Sequence, residues 1–98
     1  MKKVAVVMGS ASDLPLAREA LQTLSDFGVP SSARVLSAHR TPEETVAFVR
    51  SVEADGYGAL IAIAGKAAHL AGVLASHTRL PVIGVPASSH DLGGLDAL

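Results

Sequence analysis

Short apolar runs alternate with amphipathic stretches along this chain. Val4–Met8 is a continuous apolar run, which predicts a first strand buried on both of its faces. Apolar residues then recur at helical spacing and predict a helix from Leu14 to Phe27, with Ser12 or Asp13 as its N-cap. Gly28 is the kind of residue that closes such a helix.

The same alternation continues through the middle of the chain. A weaker second strand is predicted from Ser32 to Leu36. A second helix is predicted to open at Thr41, with Pro42 at its first position and Glu44 completing a capping box. We expect this helix to end at Asp55–Gly56, since glycine favours helix ends.

Two further strands and one helix complete the pattern. The third strand is predicted at Ala59–Ala64, the third helix at Ala67–Ser76, and the fourth strand at Pro81–Val85, stopped by Pro86. No strong periodicity follows in Ala87–Leu98. Strands separated by helices of this length imply right-handed crossovers, so the sequence predicts one α/β domain over residues 1–98, with a parallel sheet between helices.

Composition supports a folded domain and excludes several functions. The chain has 98 residues, of which 49% are hydrophobic and 17% charged, so it can build a core. Its net charge of -1 and its three aromatic residues give no footprint for nucleic acid. The longest charge-free run before Lys66, from Gly56 to Gly65, is too short to cross a membrane. The absence of cysteine excludes disulfides and thiolate catalysis and fits a cytosolic protein.

Three loops rich in small residues carry the candidate chemistry: residues 9–13, 37–42 and 65–70. Each follows a predicted strand, and the carboxyl ends of parallel strands meet at one edge of a sheet, where ligands bind. Two of the loops contain a histidine, and one has an arginine beside it. The combination predicts a site for an anionic ligand next to a group that transfers protons.

The first loop has two interpretations. Gly9 permits a tight turn, and the amides that follow it, with the hydroxyls of Ser10 and Ser12, can bind an anion. Asp13 is unsuited to phosphate but can accept hydrogen bonds from ribose hydroxyls. Alternatively, Ser12 and Asp13 only cap the following helix.

The other two loops are open to similar alternatives. Arg40 lies at a helix start, where the macrodipole disfavours a cation, so a bound phosphate is one explanation and a solvated loop another. His39 beside it can exchange a proton near neutral pH. His69 is either a second such group or a structural hydrogen-bonding residue. His77 and His90 are expected at the surface, and no spacing suggests a metal site.

Taken together, three motifs resemble one family. Gly-Ser-x-Ser-Asp at 9–13, Ser-Ala-His-Arg-Thr-Pro at 37–42 and Ala-Ala-His-Leu at 67–70 resemble the N5-carboxyaminoimidazole ribonucleotide mutases of purine biosynthesis, the PurE family. The resemblance covers essentially the whole chain in order. It implies a flavodoxin-like, three-layer αβα fold and a cytoplasmic homo-oligomer, which is an octamer in the family. It also implies an enzyme that acts on a small ribonucleotide substrate without a metal or an organic cofactor.

The resemblance also implies roles for individual residues. His39 would be the general acid and base, and His69 would help hold the migrating carboxylate or CO2. Ser10, Asp13 and Arg40 would hold the ribose phosphate portion of the substrate. The remaining substrate-binding candidates are the hydroxyl donor Ser12 and the residues expected to line the pocket: Ser37, Gly65, Lys66, Ala68 and Leu70.

Two departures from the family pattern keep other functions open. Lys66 stands where the family usually has glycine, and a basic residue there resembles the related carboxylases that use free CO2. The family's last strand and C-terminal helices are expected to be missing, which predicts strong association or marginal stability. A non-catalytic ribonucleotide-binding or assembly module is therefore an alternative. A flavin domain is disfavoured, because few aromatic residues are present to sandwich the ring.

Overall fold

The computed structural model describes residues 1–65 and 69–87. Four strands, three α-helices and one 3₁₀ turn follow in the order β1 (Lys3–Met8), the 3₁₀ turn (Ala11–Asp13), α1 (Leu14–Asp26), β2 (Ser31–Val35), α2 (Pro42–Ser51), β3 (Tyr57–Ala64), α3 (Leu70–Ala75) and β4 (Val82–Pro86). Each predicted strand is present, with its ends within two residues of the prediction. Among the described residues, no helix is long and apolar enough to span a membrane.

The four strands form one parallel sheet in the order β2-β1-β3-β4. Val6 of β1 lies between Ala33 of β2 and Ile61 of β3, which fixes the register at the centre of the sheet. One face packs against α1 and the other against α2 and α3. The predicted parallel sheet between two layers of helices is confirmed.

The burial of β1 explains its continuous apolar sequence. Ala5 and Val7 point into the cluster beneath α2 and α3, whereas Val6 and Met8 point into the cluster beneath α1, which includes Ala17. All four strand residues are almost fully buried. Because a strand in this position has no solvent-facing side, alternation of polar and apolar residues would be unfavourable there.

The second helix is shorter than predicted. It ends at Ser51, and residues 52–56 form turns that lead into β3. Tyr57 donates its backbone N–H to the carbonyl of Val52 at 3.0 Å, which closes the turn. Gly56 adopts a φ of 89°, a conformation that glycine takes without steric cost. The predicted helix end at Asp55–Gly56 is therefore wrong, because this glycine ends the turn that follows the helix and not the helix itself.

The predicted capping box at the start of α2 is wrong. Pro42 is the first helical residue, as predicted, but Thr41 makes no side-chain cap bond. Instead, its Oγ1 donates to the carbonyl of Ser37 at 3.1 Å and accepts from the N–H of Ser37, also at 3.1 Å. The backbone N–H of Thr41 also donates to the Ser37 carbonyl, so Glu44 is not its partner. The hydroxyl and the backbone N–H of Thr41, which a capping box needs, are thus both hydrogen-bonded to Ser37 in the preceding loop.

The predicted N-cap position of the first helix is confirmed at Asp13, although the side-chain cap bond is absent. A 3₁₀ turn precedes α1, and Ser10 caps it by accepting the N–H of Ser12 on its Oγ at 3.2 Å. Asp13 occupies the N-cap position of α1 but makes no side-chain cap bond. Its carboxylate is therefore not used by the helix that follows.

The strand β4 runs one residue further than predicted, through Pro86. Pro86 pairs with Ala64, and the N–H of Ala87 donates to the Ala64 carbonyl at 3.0 Å. Within the described part of the chain β4 lies at a sheet edge, where proline is tolerated, and Ile83 is 55% exposed.

The helix α3 packs closely on β4. A Cβ atom built on Gly84 would lie only 3.3 Å from the Cβ of Ala71 on α3. The helix begins at Leu70; of its predicted start, residues 67 and 68 lie outside the described residues, as do residues 88–98 of the C-terminal segment.

Candidate functional site

The carboxyl ends of β1, β2 and β3 meet at one edge of the sheet, and the three predicted loops leave from that edge. The N–H of Gly9 donates to the carbonyl of Ile63 at 3.0 Å. On the other side of β1, the N–H of Leu36 donates to the carbonyl of Met8 at 2.9 Å. These two bonds continue the hydrogen bonding of the sheet up to the first residues of the loops, so the loops begin side by side.

Together the loops enclose a cavity of about 160 Å³. All three loops contribute to its lining, which consists of Gly9, Ser10, Asp13, Ser37, Ala38, His39, Ala64, Gly65, His69 and Leu70. A larger groove of about 680 Å³ lies between α3 and β4, mostly against small apolar residues, and it shares His69 with the cavity. We place the functional site in the smaller cavity because hydroxyl, carboxyl and imidazole groups from three loops converge there.

The two histidines meet across this cavity. The imidazole rings of His39 and His69 lie edge to face, with centroids 5.4 Å apart and planes inclined at 63°. His39 lies in the turn before α2, and His69 is the N-cap residue of α3, immediately before the first turn in which it was predicted. Both side chains are exposed, so a ligand in the cavity can reach two groups that donate and accept protons.

The first loop supplies a hydroxyl and a carboxyl group. Ser10 and Asp13 line the cavity. Ser12 is exposed and does not line it, but its Oγ lies 2.9 Å from the Oγ of Ser10 in a hydrogen bond. The structure therefore places Ser12 behind Ser10, where it can orient the Ser10 hydroxyl.

The structure does not bring every predicted residue into the cavity. Arg40 is exposed and does not line it, although its backbone N–H donates to the Oγ of Ser37 at 3.0 Å. Lys66 and Ala68 lie outside the described residues. His77 is exposed, as predicted, whereas His90 lies outside the described part of the chain.

Three small residues of the lining were not among the predicted site residues: Gly9, Ala38 and Ala64. Each lies next to a predicted site residue, and their small side chains leave the cavity open. The available signal was the run of small residues at the end of each strand. Such a run does not show which of its residues line the cavity and which only connect the strand to the helix. In the described part of the chain, no group of three or more His, Asp and Glu side chains could hold a metal ion.

Burial raises the pKa of the Asp13 carboxyl above its ordinary value of 3.8, and a hydrogen bond with the backbone of Ser10 opposes this in part. Desolvation, which penalises the charged form, is the larger of these two effects on the pKa. The native state therefore binds the Asp13 proton more tightly than the unfolded state does. It follows that this group favours the folded state most below its unfolded pKa, and that this contribution is lost as pH rises through the native pKa.

Asp13→Asn removes this titration and is expected to change how stability depends on pH. The free energy of unfolding of the variant, minus that of the unchanged chain, should rise as pH increases from below 3.8 through the raised pKa. Urea unfolding of both proteins over that pH range measures the difference, and the other carboxyl groups cancel in the comparison. A difference that stays constant or falls with pH would contradict the assigned effect of burial.

The arrangement suits proton transfer to a small anionic ligand. Two imidazoles lie within reach of one ligand atom, and the hydroxyl of Ser10 and the carboxyl of Asp13 face the same cavity. His39 and Asp13 lie on adjacent loops held by paired strands, so their spacing is set by the sheet. Such a cavity can hold a ring or a carboxylate while a histidine moves a proton to or from it.

Comparison with known proteins places this arrangement in a family. The family described as AIR carboxylase matches residues 3–98. The N5-carboxyaminoimidazole ribonucleotide mutase of Pyrococcus abyssi is 53% identical over 98 residues, covering 100% of this chain and 56% of that protein. The mutase of Saccharolobus solfataricus is 53% identical over 98 residues, covering 100% of this chain and 62% of that protein.

A solved structure agrees with these relatives. The crystal structure of Treponema denticola PurE superposes with a TM-score of 0.87 at 33% sequence identity, covering 95% of this chain and 60% of that one. The chain thus spans little more than half the length of the proteins it matches. Its four-stranded parallel sheet between helices is the flavodoxin-like fold of PurE. Because the match runs through almost every residue, from the first strand to the last position, the chain belongs to the AIR carboxylase family.

Proposed function

We propose that this chain carries the active-site loops of an N5-carboxyaminoimidazole ribonucleotide mutase. The reaction moves a carboxylate from the exocyclic nitrogen of the aminoimidazole ribonucleotide to ring carbon C4. The observation that carries the proposal is the pair of imidazoles, His39 and His69, 5.4 Å apart at a cavity built from all three loops. The names of relatives 53% identical to this chain support the same reaction.

His39 acts as the general acid and then as the general base. Its imidazolium gives a proton to the exocyclic nitrogen while the N–C bond to the carboxylate breaks and CO2 leaves. The ring carbon C4 then attacks CO2 and forms the new C–C bond. The neutral imidazole takes the proton from C4, which restores the ring and returns His39 to its starting state, so no proton is consumed.

His69 holds the group that migrates. Its ring, 5.4 Å from that of His39, can donate a hydrogen bond to the carboxylate, and then to CO2, while His39 handles the proton. The lining residues Ala38, Ala64 and Leu70 limit the space around it. Restricting the space available to free CO2 keeps it near C4 and favours recapture over escape.

The cavity takes only part of the substrate. Sites for whole ligands of this kind have volumes of about 300–1,000 Å³, so a cavity of about 160 Å³ accommodates the imidazole ring and leaves the ribose phosphate at the rim. Ser10 and Asp13 lie where they can bind ribose hydroxyls. Arg40 follows His39 in the chain and is exposed outside the cavity lining, and its proposed role is to bind the phosphate at the rim. All of the substrate contacts stay predictions, those of Ser12, Ser37, Gly65, Lys66, Ala68 and Leu70 included.

The finer expectations on assembly and location are part of the proposal. In the sheet that the described residues form, β2 and β4 are the outer strands. Val35 and Ile83 on these strands are 50% and 55% exposed, which favours a homo-oligomer in which such surfaces are covered. The net charge of -1 and the absence of cysteine are compatible with work in the cytoplasm on a small ribonucleotide, without nucleic acid or membrane as partner.

A turnover assay with the purified chain tests the proposal. The N5-carboxylated ribonucleotide is expected to be converted to the C4-carboxylated product, which is followed by chromatography, while sedimentation equilibrium gives the number of subunits. A parallel reaction supplies aminoimidazole ribonucleotide and bicarbonate. Product from the second reaction alone would establish the CO2-using carboxylase instead. Binding of the ribonucleotide with no product in either reaction would establish the non-catalytic module.

A further inference from the structure

We propose that Thr45 is a positioning residue that holds the turn carrying His39. The effect of this positioning role on catalysis rests on the function proposed above, whereas the hydrogen bonds that support the role do not. Thr45 lies on α2, one helical turn after Thr41, and its side chain is fully buried with 0% exposure. A threonine hydroxyl buried among apolar side chains is unfavourable unless it is hydrogen-bonded, so its partners indicate what it is for.

The Thr45 hydroxyl contacts both ends of the turn. Its Oγ1 donates to the carbonyl of Thr41 at 2.8 Å and lies 3.2 Å from the carbonyl of Ser37. The first bond is the local one that a helical threonine commonly makes to the residue four positions before it. The second reaches eight residues back in the chain, to a residue outside the helix. A single hydroxyl proton is therefore shared between the first and the last residue of the turn from 37 to 41.

Ser37 is fixed by this network at every polar group it has. Its carbonyl accepts from the backbone N–H of Thr41 at 2.9 Å and from the Oγ1 of Thr41 at 3.1 Å, in addition to Thr45. Its N–H donates to the Oγ1 of Thr41, and its Oγ accepts the N–H of Arg40 at 3.0 Å. Thr45 is the one buried member of this network, and it anchors the turn to the core.

His39 needs such an anchor because its own side chain is exposed. It lies at the middle of the turn, so core packing does not fix its ring, and the backbone conformation must place it against His69. A displacement of about 1 Å at a reacting group costs on the order of 100-fold in rate. A buried hydroxyl that ties both ends of the turn together restricts that displacement.

Thr45→Val removes the hydroxyl and keeps the shape of the side chain. We expect kcat for carboxylate transfer to fall by roughly 10-fold or more, with KM within about 2-fold, because substrate contacts remain while the proton carrier is misplaced. Thr45→Ser restores the hydroxyl and is expected to recover most of kcat. Should Thr45→Val prove unfolded by circular dichroism, Thr45→Cys replaces it, since a thiol of similar size is only a weak donor.

The matched control is Thr23→Val on α1. Thr23 is exposed, and its Oγ1 donates to the carbonyl of Glu19 at 3.0 Å, which is the same local bond with no second partner among the described residues. It is expected to leave kcat and KM unchanged. Equal effects of the two valine variants, or a serine variant that recovers nothing, would overturn the proposal, because either result assigns the loss to something other than the bond to the turn.

A second readout does not depend on turnover. In protein that is isotopically labelled at histidine, Thr45→Val is expected to shift the NMR signals of the His39 and His69 rings, which lie in mutual contact. The signals of the exposed His77 ring are expected to stay in place. Unchanged His39 signals would overturn the positioning role. If the unchanged chain lacks turnover, the proposed function fails, and the NMR comparison alone still decides the role of Thr45.

Discussion

On the proposed function, His39→Asn is expected to lower kcat for the carboxylate transfer by about 10²–10⁴-fold, the usual contribution of a general acid or base. Asparagine can still hydrogen-bond to the substrate, but it cannot deliver a proton to the exocyclic nitrogen or remove one from C4. Steady-state conversion of the N5-carboxylated ribonucleotide measures kcat, and calorimetric titration with the reaction product measures whether the site still binds. We expect the dissociation constant to change by less than about 10-fold, because the substrate contacts proposed for Ser10 and Asp13 do not involve His39.

His77→Asn provides the control for this experiment. His77 is exposed just after α3 and does not line the cavity, so its replacement should leave both kcat and binding unchanged. A His39 variant that retains its rate within about 3-fold would assign the proton transfer to His69, its neighbour in the cavity. Loss of binding together with rate would show that His39 holds the ligand and does not act on it.

Leu60→Ala is expected to have the largest effect on stability, lowering the free energy of unfolding by about 2–5 kcal/mol. Leu60 is 0% exposed on β3, the strand between β1 and β4, and it belongs to the cluster beneath α2 and α3. Truncation removes apolar contact and leaves a cavity that surrounding strands cannot close. A loss of this size is a substantial fraction of the roughly 5–15 kcal/mol that stabilises a typical domain.

Urea unfolding followed by circular dichroism measures this loss against Leu16→Ala. Leu16 is 38% exposed on α1, so the same truncation there removes less buried apolar surface and should lower stability by only about 1 kcal/mol. Similar losses for the two variants would mean that β3 is not the centre of the core. An unchanged urea dependence of the unfolding free energy in both variants would show that the denatured states are comparable.

The strands could be predicted from sequence because their signal is local. The run Val4–Met8 is buried on both faces, and only a strand covered by helices on both sides suits such a run. Helix ends were less predictable because they depend on competing hydrogen-bond partners. Thr41 stands at a sequence position typical of an N-cap, yet its hydroxyl is hydrogen-bonded to the backbone of Ser37. Which of these two partners it bonds depends on the conformation of the folded loop.

The position of the site could also be predicted, because parallel strands bring their following loops to one edge. Which side chains enter the cavity could not be predicted, since that depends on loop conformation: His39 and His69 meet, while Ser12 and Arg40 stay outside the lining. Thr45 was missed because a lone threonine on an amphipathic helix gives no signal of its own. Its spacing of four from Thr41, on the buried side of α2, was the available clue.

The close contact between Gly84 and Ala71 has a consequence for how this family can change. A methyl group at residue 84 would make an unusually tight contact, so that Ala71 would have to give way by a few tenths of an ångström, and His69 stands at the head of the same helix. A position that carries no functional group is thus one packing contact away from the helix at whose start His69 lies. Substitution at residue 84 can therefore test how the setting of α3 affects His69 while every hydroxyl, carboxyl and imidazole group of the site stays in place.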